Sequence, residues 1–270
     1  MTPPVALTIA GSDCSAGAGL QADLKTFSSF GVHGLTAVTC VVSETPETVS
    51  QVHPVPPVIL QDQIRLLLAS YPIAAIKTGM LYSKSHIVAV CELLADTGIP
   101  LIVDPVMVAS TGDPLLVEDA LEAISERLLP LATVITPNLP EAGFLLGRPV
   151  LTLEEQEKAA RELSEKYQAA CYLKGGHAEN SGQHRDLLAH KQSIDTFSSP
   201  HLDLPQTHGT GCTLSAALTA NISAGLSILE ASQSAHRFTH QALQHSLEWN
   251  IPGSSGKIFN LDQNQKILEK

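Results

Sequence analysis

The sequence has few charged and few aromatic side chains. Of its 270 residues, 16% are charged and 4% are aromatic, whereas 44% are hydrophobic. A core with so few rings must be built from Ala, Val, Ile and Leu, which is typical of a parallel sheet covered by helices. The length suits one large domain over residues 1–270. The composition therefore favours an α/β fold over a β-sandwich.

Positive charge is scarce as well. The chain has 27 Asp and Glu against 16 Lys and Arg, a formal net charge of −11, and no run of basic residues. Nucleic-acid binding needs clustered positive charge, so this class of function is disfavoured. No apolar stretch approaches the roughly 20 residues of a membrane span. The first residues, MTPPVALTIAGSD, lack the basic segment of a signal peptide. We therefore expect a cytoplasmic protein that does not bind membranes.

Paired cysteines are also lacking. The five cysteines are an odd number, stand far apart and form no CxxC pair. This pattern is typical of reduced thiols in the cytosol and supports neither a disulfide framework nor a structural zinc site.

Apolar runs alternate with stretches of helical spacing along the chain. The predicted strands are residues 5–10, 36–42, 74–78, 100–104, 133–136 and 171–174. The predicted helices are residues 18–30, 58–69, 85–95, 118–129, 140–146, 153–167, 212–224 and 228–247.

This alternation predicts right-handed crossovers and a doubly wound, mostly parallel sheet, whose ligands bind beyond the carboxyl ends of the strands. Residues 185–189 and 193–197 are predicted to form an antiparallel hairpin at the sheet edge. We expect a polar exit loop at residues 43–46, a flexible loop at residues 177–184 and a tail of mixed character at residues 252–270.

A glycine-rich turn precedes the penultimate predicted helix. Residues 208–213 read HGTGCT. The two glycines let backbone N–H groups converge at a helix N-terminus, where the dipole favours an anion such as a phosphoryl group. Cys212 falls in the first turn of this helix. We expect the pKa of its thiol to be lowered, so that the thiolate accepts a proton from a substrate hydroxyl. A helix entry with a buried structural cysteine is the alternative.

A second glycine-rich turn follows the first predicted strand. Residues 11–19 read GSDCSAGAG, and the GxGxxG fingerprint cannot be placed on them because residues 20–22 are Leu, Gln and Ala. A nicotinamide cofactor is thereby disfavoured, and the chain has no P-loop. Two interpretations remain: a flexible backbone cradle for a small substrate, or a plain tight turn.

Polar side chains at the ends of later strands suit Mg²⁺ and phosphate. Asp104 ends one predicted strand, and Asn138 and Glu141 stand three residues apart at the next strand-to-helix junction. Such oxygens suit Mg²⁺. Asn138 and Glu141 also fit a helix N-cap with its capping-box partner. Lys174 is a candidate phosphate contact, although it could equally be a surface lysine.

Seven blocks, in this order, resemble the hydroxymethylpyrimidine/phosphomethylpyrimidine kinases of the ribokinase-like superfamily. The blocks are ALTIAGSD, GAGLQADLKTF, KTGML, DPVM, TPNLPEA, LKGGH and HGTGCTLSAAL. The blocks lie between residues 6 and 218, and the resemblance as a whole spans residues 5 to about 245, which is nearly the whole chain.

The resemblance implies a three-layer α/β/α fold and transfer of the ATP γ-phosphoryl group to 4-amino-5-hydroxymethyl-2-methylpyrimidine, and then to its monophosphate. It implies that Cys212 is the catalytic base, where most ribokinase relatives have Asp, and that Gly209, Thr210 and Gly211 form the anion hole. Related kinases are often dimers, so a homodimer is expected.

The resemblance also implies the binding residues. The substrate ring is expected to lie among Gly11, Ala18, Asp23, Glu44, Met80 and Val106. ATP is expected to contact Asn138, Lys174 and Thr210. Mg²⁺ is expected to bind Asp104 and Glu141.

The chain departs from the family pattern at three places. Glu44, Thr45 and Pro46 replace a usual Gln-Asn-Thr, and a carboxylate cannot donate a hydrogen bond as an amide does. Ser15 and Ala16 replace glycines of the first turn, which stiffens it. His236 stands where many members carry Lys, so a cation of the phosphate region is lost or becomes pH-dependent.

Two other functions compete with the pyrimidine kinase. Some relatives with the same cysteine motif accept the vitamin B6 ring, so pyridoxal or pyridoxine kinase activity is the alternative within the fold. A non-catalytic pyrimidine-binding module is the alternative from another class, and the intact GTGC sequence at residues 209–212 speaks against it.

Overall fold

A nine-stranded sheet forms the centre of the computed structural model, which describes residues 2–107, 118–175, 182–204, 208–252 and 256–264. The strands of this sheet are β1 (Val5–Asp13), β2 (His33–Thr45), β3 (Thr48–Pro54), β4 (Ile73–Thr78), β5 (Leu101–Val103), β6 (Val134–Ile135), β7 (Ala170–Leu173), β8 (Gln183–His190) and β9 (Ser193–Pro200). Their spatial order is β3-β2-β1-β4-β5-β6-β7-β8-β9. The six strands from β2 to β7 in this order are parallel, and β3, β8 and β9 are antiparallel to their neighbours.

Helices cover both faces of the sheet. The helices are α1 (Gly19–Ser29), α2 (Pro57–Ser70), α3 (Lys84–Leu94), α4 (Glu118–Ala123), α5 (Leu139–Leu146), α6 (Leu153–Tyr167), α7 (Thr210–Ser223) and α8 (Ile228–Gln244). Buried side chains of α2 to α6 form one core with the sheet. Those of α1, α7 and α8 form the core of the opposite face. The predicted three-layer α/β/α architecture is confirmed.

Local sequence explains several helix boundaries. Thr152 and Ser227 begin α6 and α8 with complete capping boxes, in which Glu155 and Glu230 are the partners. Gly147 ends α5 in the left-handed conformation, at φ +68°, as expected of a C-terminal glycine. The predicted helix at residues 118–129 continues after α4 as a π-helical turn and a 3₁₀ turn, Ile124–Leu128 and Leu129–Leu131.

The predicted exit loop after β2 is wrong. β2 continues through Ser43 and Glu44 to Thr45 and turns back into β3, a strand that is not among those predicted from the sequence. Side chains near this end alternate between buried and exposed, because the β2–β3 ribbon is covered on one side only. The ribbon therefore carries Glu44 on a strand instead of a loop.

The predicted edge hairpin is confirmed as β8 and β9. Within the tail, β11 (Lys257–Asn260) pairs antiparallel with β10 (Leu247–Asn250), which precedes the tail in the chain. Residues 177–181 of the expected flexible loop and residues 253–255 and 265–270 of the tail lie outside the described residues. Among the helices that the structure describes, none has the length and apolar character needed to cross a membrane.

Candidate active site

A cavity of about 690 Å³ lies at the carboxyl ends of the parallel strands. One part is lined by Gly11, Val42, Glu44, Met80 and Val106. The other part is polar and is lined by Asp104, Asn138, Glu141, Lys174 and residues 209–212. Ala18, Lys77 and His208 also line the cavity. The expected binding residues thus lie around one cavity, except for Asp23.

An apolar group closes the first part of the cavity. Cys40, Val42 and Met80 are buried together, and Val106 packs against them. Val49 and Val52 of β3 pack against the same residues. The β2–β3 ribbon, which the sequence does not predict, therefore forms part of this cavity wall. A side chain at Gly11 would place its Cβ 2.9 Å from the Cys40 Sγ atom, so the close packing of this wall requires a glycine here.

The carboxylate of Asp13 holds the first turn, which we define as residues 11–19. It accepts hydrogen bonds from the backbone amides of Ser15, Gly17 and Ala18, at 2.6, 3.0 and 2.8 Å. His208 Nε2 also lies 2.9 Å from Asp13 Oδ2. Burial alone would raise the pKa of Asp13, but the hydrogen bonds from His208 and the turn lower it to about 2. The first turn is therefore held by its own carboxylate, and the expected flexibility is not what the geometry shows.

The α7 turn, which we define as residues 208–213, packs against the first turn. Gly209 has φ +89°, and a Cβ there would meet the Gly17 carbonyl oxygen at 1.9 Å, so only glycine fits. A Cβ at Gly211 would lie 3.2 Å from Lys174 Nζ. The glycines thus bring the N-terminus of α7 beside a lysine, and the helix dipole adds to its positive potential. This arrangement can bind an anion.

Cys212, the third residue of α7, lines the cavity and is partly exposed. Burial raises the pKa of its thiol to about 11, against the opposing effect of Lys77. The expected lowering of this pKa is wrong, because desolvation of the thiolate outweighs the helix N-terminus and the nearby cation. The sulfur nevertheless lies at the cavity, as a proton acceptor for a bound hydroxyl must.

Lys77 and Asp23 form a buried ion pair beneath the cavity. Lys77 Nζ lies 2.7 and 2.8 Å from the two Asp23 carboxylate oxygens, and Thr8 donates a hydrogen bond to the same carboxylate at 2.6 Å. Burial alone would lower the pKa of Lys77, but Asp23 and the other nearby acidic groups raise it. Asp23 is not among the residues that line the cavity, so the geometry does not support the expected direct contact with the substrate ring. Lys77 lines the cavity in its place.

A second lysine links the two carboxylates of the polar part. Lys174 Nζ lies 3.0 Å from Asp104 Oδ1 and 3.9 Å from Glu141 Oε2. Burial alone would lower the pKa of Lys174, but Asp104 and Glu141 raise it. Ser215 of α7 donates a hydrogen bond to Asp104 Oδ2, at 3.2 Å. The polar part therefore contains a fixed cation between two carboxylates.

Asn138 and Glu141 form the capping box of α5. Glu141 N donates to Asn138 Oδ1 and Asn138 N donates to Glu141 Oε2, both at 2.8 Å. Burial raises the pKa of Glu141, and Lys174 opposes this effect. The capping interpretation is confirmed, and it places Glu141 and Asp104 as two buried carboxylates at the cavity wall. Mg²⁺ is usually held by one or two carboxylates together with waters and phosphate oxygens, and this donor set fits it.

His236 does not reach the cavity. Its Nδ1 atom lies 3.0 Å from Asp186 Oδ2, and Tyr172 donates to the same oxygen at 2.9 Å. The other oxygen of Asp186 accepts from Gly175 N, at 3.0 Å. Of the two alternatives expected at this position, the geometry supports loss of the cation and not a pH-dependent one, because the ring points into a buried network between α8 and β8.

Glu44 lies beside the Asp13–His208 pair on the cavity wall. Side-chain ligand atoms of the three residues all lie within 4.8 Å of one another. The Asp13 carboxylate accepts hydrogen bonds from three backbone amides and contacts His208, so the three side chains form a hydrogen-bonded part of the cavity wall. Burial, followed by the charge of Asp13, raises the pKa of Glu44 to about 7.

Sequence reasoning assigned no role to Lys77, Asp13 or His208. For Lys77 the sequence does contain an indication of a role. The residue lies in the apolar strand IAAIKT, and a lysine in such a strand is rarely buried without a partner. Asp23 falls on the apolar face of α1 with Leu20 and Phe27, and an acidic residue there needs a cation. The Asp13–His208 contact joins residues 195 positions apart, and nothing local indicates it.

Comparisons with known proteins agree with this geometry. A family model described as phosphomethylpyrimidine kinase matches residues 13–256. The hydroxymethylpyrimidine/phosphomethylpyrimidine kinase of Synechococcus elongatus is 40% identical over 247 residues, which cover 92% of this chain and 94% of the relative. The structure of Staphylococcus aureus pyridoxal kinase with AMP-PCP and pyridoxal has a TM-score of 0.85 and 36% identity, with coverage of 98% and 94%. The Clostridium difficile phosphomethylpyrimidine kinase has a TM-score of 0.79 and 33% identity, with coverage of 89% and 99%.

Proposed function

The chain belongs to the phosphomethylpyrimidine kinase family, and from this premise we propose that it transfers the γ-phosphoryl group of ATP to 4-amino-5-hydroxymethyl-2-methylpyrimidine and then to the resulting monophosphate. Both steps belong to thiamine biosynthesis. One observation carries the proposal: a single cavity joins an apolar pocket to a cationic helix N-terminus, and Cys212 lies at its wall. Such a cavity can hold a ring at one end and polyphosphate at the other.

The ring would occupy the part lined by Gly11, Val42, Met80 and Val106, with Glu44 at its edge. With a pKa of about 7, Glu44 is largely protonated below neutrality. A protonated carboxyl group has one acceptor and one donor, which match the amine and an adjacent ring nitrogen of an aminopyrimidine. While Glu44 keeps its proton, it offers the same pair of one donor and one acceptor as the amide that is common in the family.

ATP would bind at the polar part. The amides at the start of α7 and Lys174 would hold the transferred phosphoryl group, with Thr210 and Asn138 as further contacts. Asp104 and Glu141 would hold Mg²⁺, which neutralises charge on the phosphates when it is bound. Lys77, kept as an ammonium ion by Asp23, adds positive charge beside the reacting atoms.

Cys212 would accept the proton of the substrate hydroxyl. Phosphoryl transfer passes through a loose transition state, so positioning and charge stabilisation carry most of the catalysis, and the proton acceptor contributes a smaller share. A thiol whose pKa is about 11 is a strong base once ionised. Lys77 opposes the raised pKa and thereby favours the thiolate.

The test is an ADP-release assay with purified protein, ATP and Mg²⁺. We expect turnover with the hydroxymethylpyrimidine and with its monophosphate, above the rate of ATP hydrolysis without substrate. Turnover of neither pyrimidine would refute the proposal. Omission of Mg²⁺, with an added chelator, should abolish activity if Asp104 and Glu141 hold the metal.

Pyridoxal phosphorylation is the second candidate. It is favoured by the 0.85 TM-score to a pyridoxal kinase over nearly the whole chain, and by a carboxyl group instead of an amide at residue 44. The same assay with pyridoxal decides: a kcat/KM for pyridoxal far above that for the pyrimidine would make it the main activity.

We also propose that the whole chain is one kinase domain, that it works in the cytoplasm and that it forms a homodimer. The nine-stranded sheet collects strands from Val5 to Pro200, and α7 and α8 complete its second face. All five cysteines are free, as a reducing compartment requires. Light scattering after size exclusion would measure the oligomeric state.

A further inference from the structure

The segment that follows β11 lies outside the match to the family model, which ends at residue 256, and yet it reaches the active site. Leu261 and Gln263 are each 1% exposed. Ser29 of α1 donates a hydrogen bond to the Gln263 carbonyl oxygen, and Asp262 N donates to Ala242 O of α8, at 3.2 Å. The segment is therefore anchored to both helices of one face.

The Gln263 side chain joins the two turns of the active site. Its Nε2 atom donates to Gly17 O in the first turn, at 3.1 Å, and to Thr213 Oγ1 in the α7 turn, at 3.2 Å. Thr213 Oγ1 in turn donates to Gly209 O, at 2.9 Å. One buried amide thus holds the two turns together at the place where Gly209 packs against the Gly17 carbonyl.

We infer that Gln263 is a positioning residue for phosphoryl transfer: it fixes the α7 turn, which holds the phosphoryl group, against the first turn, which holds the substrate. The inference rests on the proposed function for its catalytic consequence, but the clamp itself is a structural property. A glutamine amide suits this role because its two N–H donors serve two acceptors, Gly17 O and Thr213 Oγ1. No group of Gln263 touches the cavity, so its effect must pass through the turns.

Gln263→Ala tests the clamp. We expect kcat to fall by at least roughly tenfold, because a small displacement of a positioned group is costly in a transition state. The KM for the pyrimidine should change by less than about threefold, because Val42, Met80 and Val106 of the ring pocket lie outside both turns. Asn264→Ala is the matched control, since it removes an exposed amide side chain next to Gln263 in the same segment; its kcat should match that of the wild type.

Gln263→Glu separates positioning from packing. The carboxylate keeps the size of the side chain but cannot donate, so kcat at pH 8 should be as low as for Gln263→Ala. Protonation at acidic pH restores one donor, so the ratio of its kcat to that of the wild type should rise toward pH 5. Asp13 and His208 of the two turns are also titratable, and both are present in every variant. The pH dependence of kcat in Gln263→Ala therefore measures their contribution to the profile. A ratio independent of pH would contradict the hydrogen-bonding role.

Amide hydrogen exchange tests the clamp without activity. Exchange of the amides of residues 209–213 should be roughly tenfold faster in Gln263→Ala than in Asn264→Ala. Equal exchange in the two variants overturns the inference, whatever the activity. A wild-type protein that phosphorylates neither pyrimidine would refute the proposed function alone, and the exchange experiment would still judge the clamp. If Gln263→Ala does not fold, Gln263→Glu decides both measurements.

Discussion

At the scale of single residues, the cavity wall carries two groups whose protonation differs from that of the free side chains. Cys212 keeps its proton to high pH, and Glu44 keeps its proton to neutrality. Both effects come first from burial, which disfavours the charged form. The proposed chemistry therefore predicts that kcat depends on pH through Cys212 and that the KM for the pyrimidine depends on pH through Glu44.

The first prediction concerns Cys212. Replacement by Ala should lower kcat by at least about 10²-fold, the usual loss for a general base, and leave substrate binding largely intact. Because the thiol pKa is about 11, the thiolate fraction near pH 7 is roughly 10⁻⁴ and grows tenfold per pH unit. The wild-type kcat should therefore rise from pH 7 to 10, in steady-state measurements.

Cys212→Asp is the matched comparison for this pH dependence. A carboxylate is already ionised over that range, so the alkaline rise should disappear while activity is retained. An alkaline rise of equal slope in Cys212→Ala would show that another group titrates and would remove Cys212 from the proton transfer.

The second prediction concerns Glu44. Its pKa of about 7 means that its donor is present below pH 7 and lost above it, so the KM for the pyrimidine should increase between pH 6 and 9. Glu44→Gln keeps a donor and an acceptor at every pH. Its KM should stay flat over this range and match the wild-type value near pH 6. Parallel pH profiles of the two proteins would exclude Glu44 as the group that reads the ring.

At the scale of elements, the turns between strands and helices decide how the site is built. The capping box of α5 could be predicted from Asn138 and Glu141, because a capping box is a local pattern. The β2–β3 ribbon could not, because its polar residues resemble a loop until the two strands pair. The role of the Asp13 carboxylate could be predicted only in part. Its contacts to residues 15–18 are local, whereas its contact to His208 is not.

The third prediction concerns the first turn. The pKa of Asp13 falls from 3.8 to about 2 in the folded protein, which corresponds to about 2 kcal/mol of stability. A lowered carboxyl pKa stabilises the fold above about pH 4, and this contribution is lost as the pH falls from about 4 to 2. Asp13→Asn should therefore lower the free energy of unfolding by about 1–2 kcal/mol at pH 7, measured by urea denaturation.

The pH series identifies the cause of that loss. The difference in unfolding free energy between the wild type and Asp13→Asn should shrink as the pH falls from about 4 to 2. The exposed Asp62→Asn is the control and should show no such difference. A gap that stays constant with pH would mean that packing, and not the charge of Asp13, stabilises the turn.

At the scale of the whole molecule, the Asp23–Lys77 pair joins α1 to β4 across one face of the sheet and places a cation at the cavity. Both side chains are fully inaccessible to solvent. Removal of one partner leaves an uncompensated buried charge, whereas removal of both does not. Stability and catalysis can therefore be separated at this pair.

The fourth prediction uses this separation. Lys77→Met should lower the free energy of unfolding by about 3–5 kcal/mol, and the double variant Asp23→Leu/Lys77→Met should recover most of that loss, as measured by chemical denaturation. Activity should stay low in both variants because the ammonium group is gone. A fully active double variant would show that Lys77 serves stability alone.

The sequence by itself determined the order of the parallel strands and of the helices, the positions of the two glycine-rich turns and the α/β class, because hydrophobic period, glycine and capping residues act over a few neighbouring positions. The tertiary structure alone decided that Asp23 pairs with Lys77, that Cys212 has a raised pKa and that Gln263 binds Gly17, 246 residues away. Burial and long-range hydrogen bonds exist only once the layers have assembled. A charged or polar group gains its pKa and its partner from that assembly.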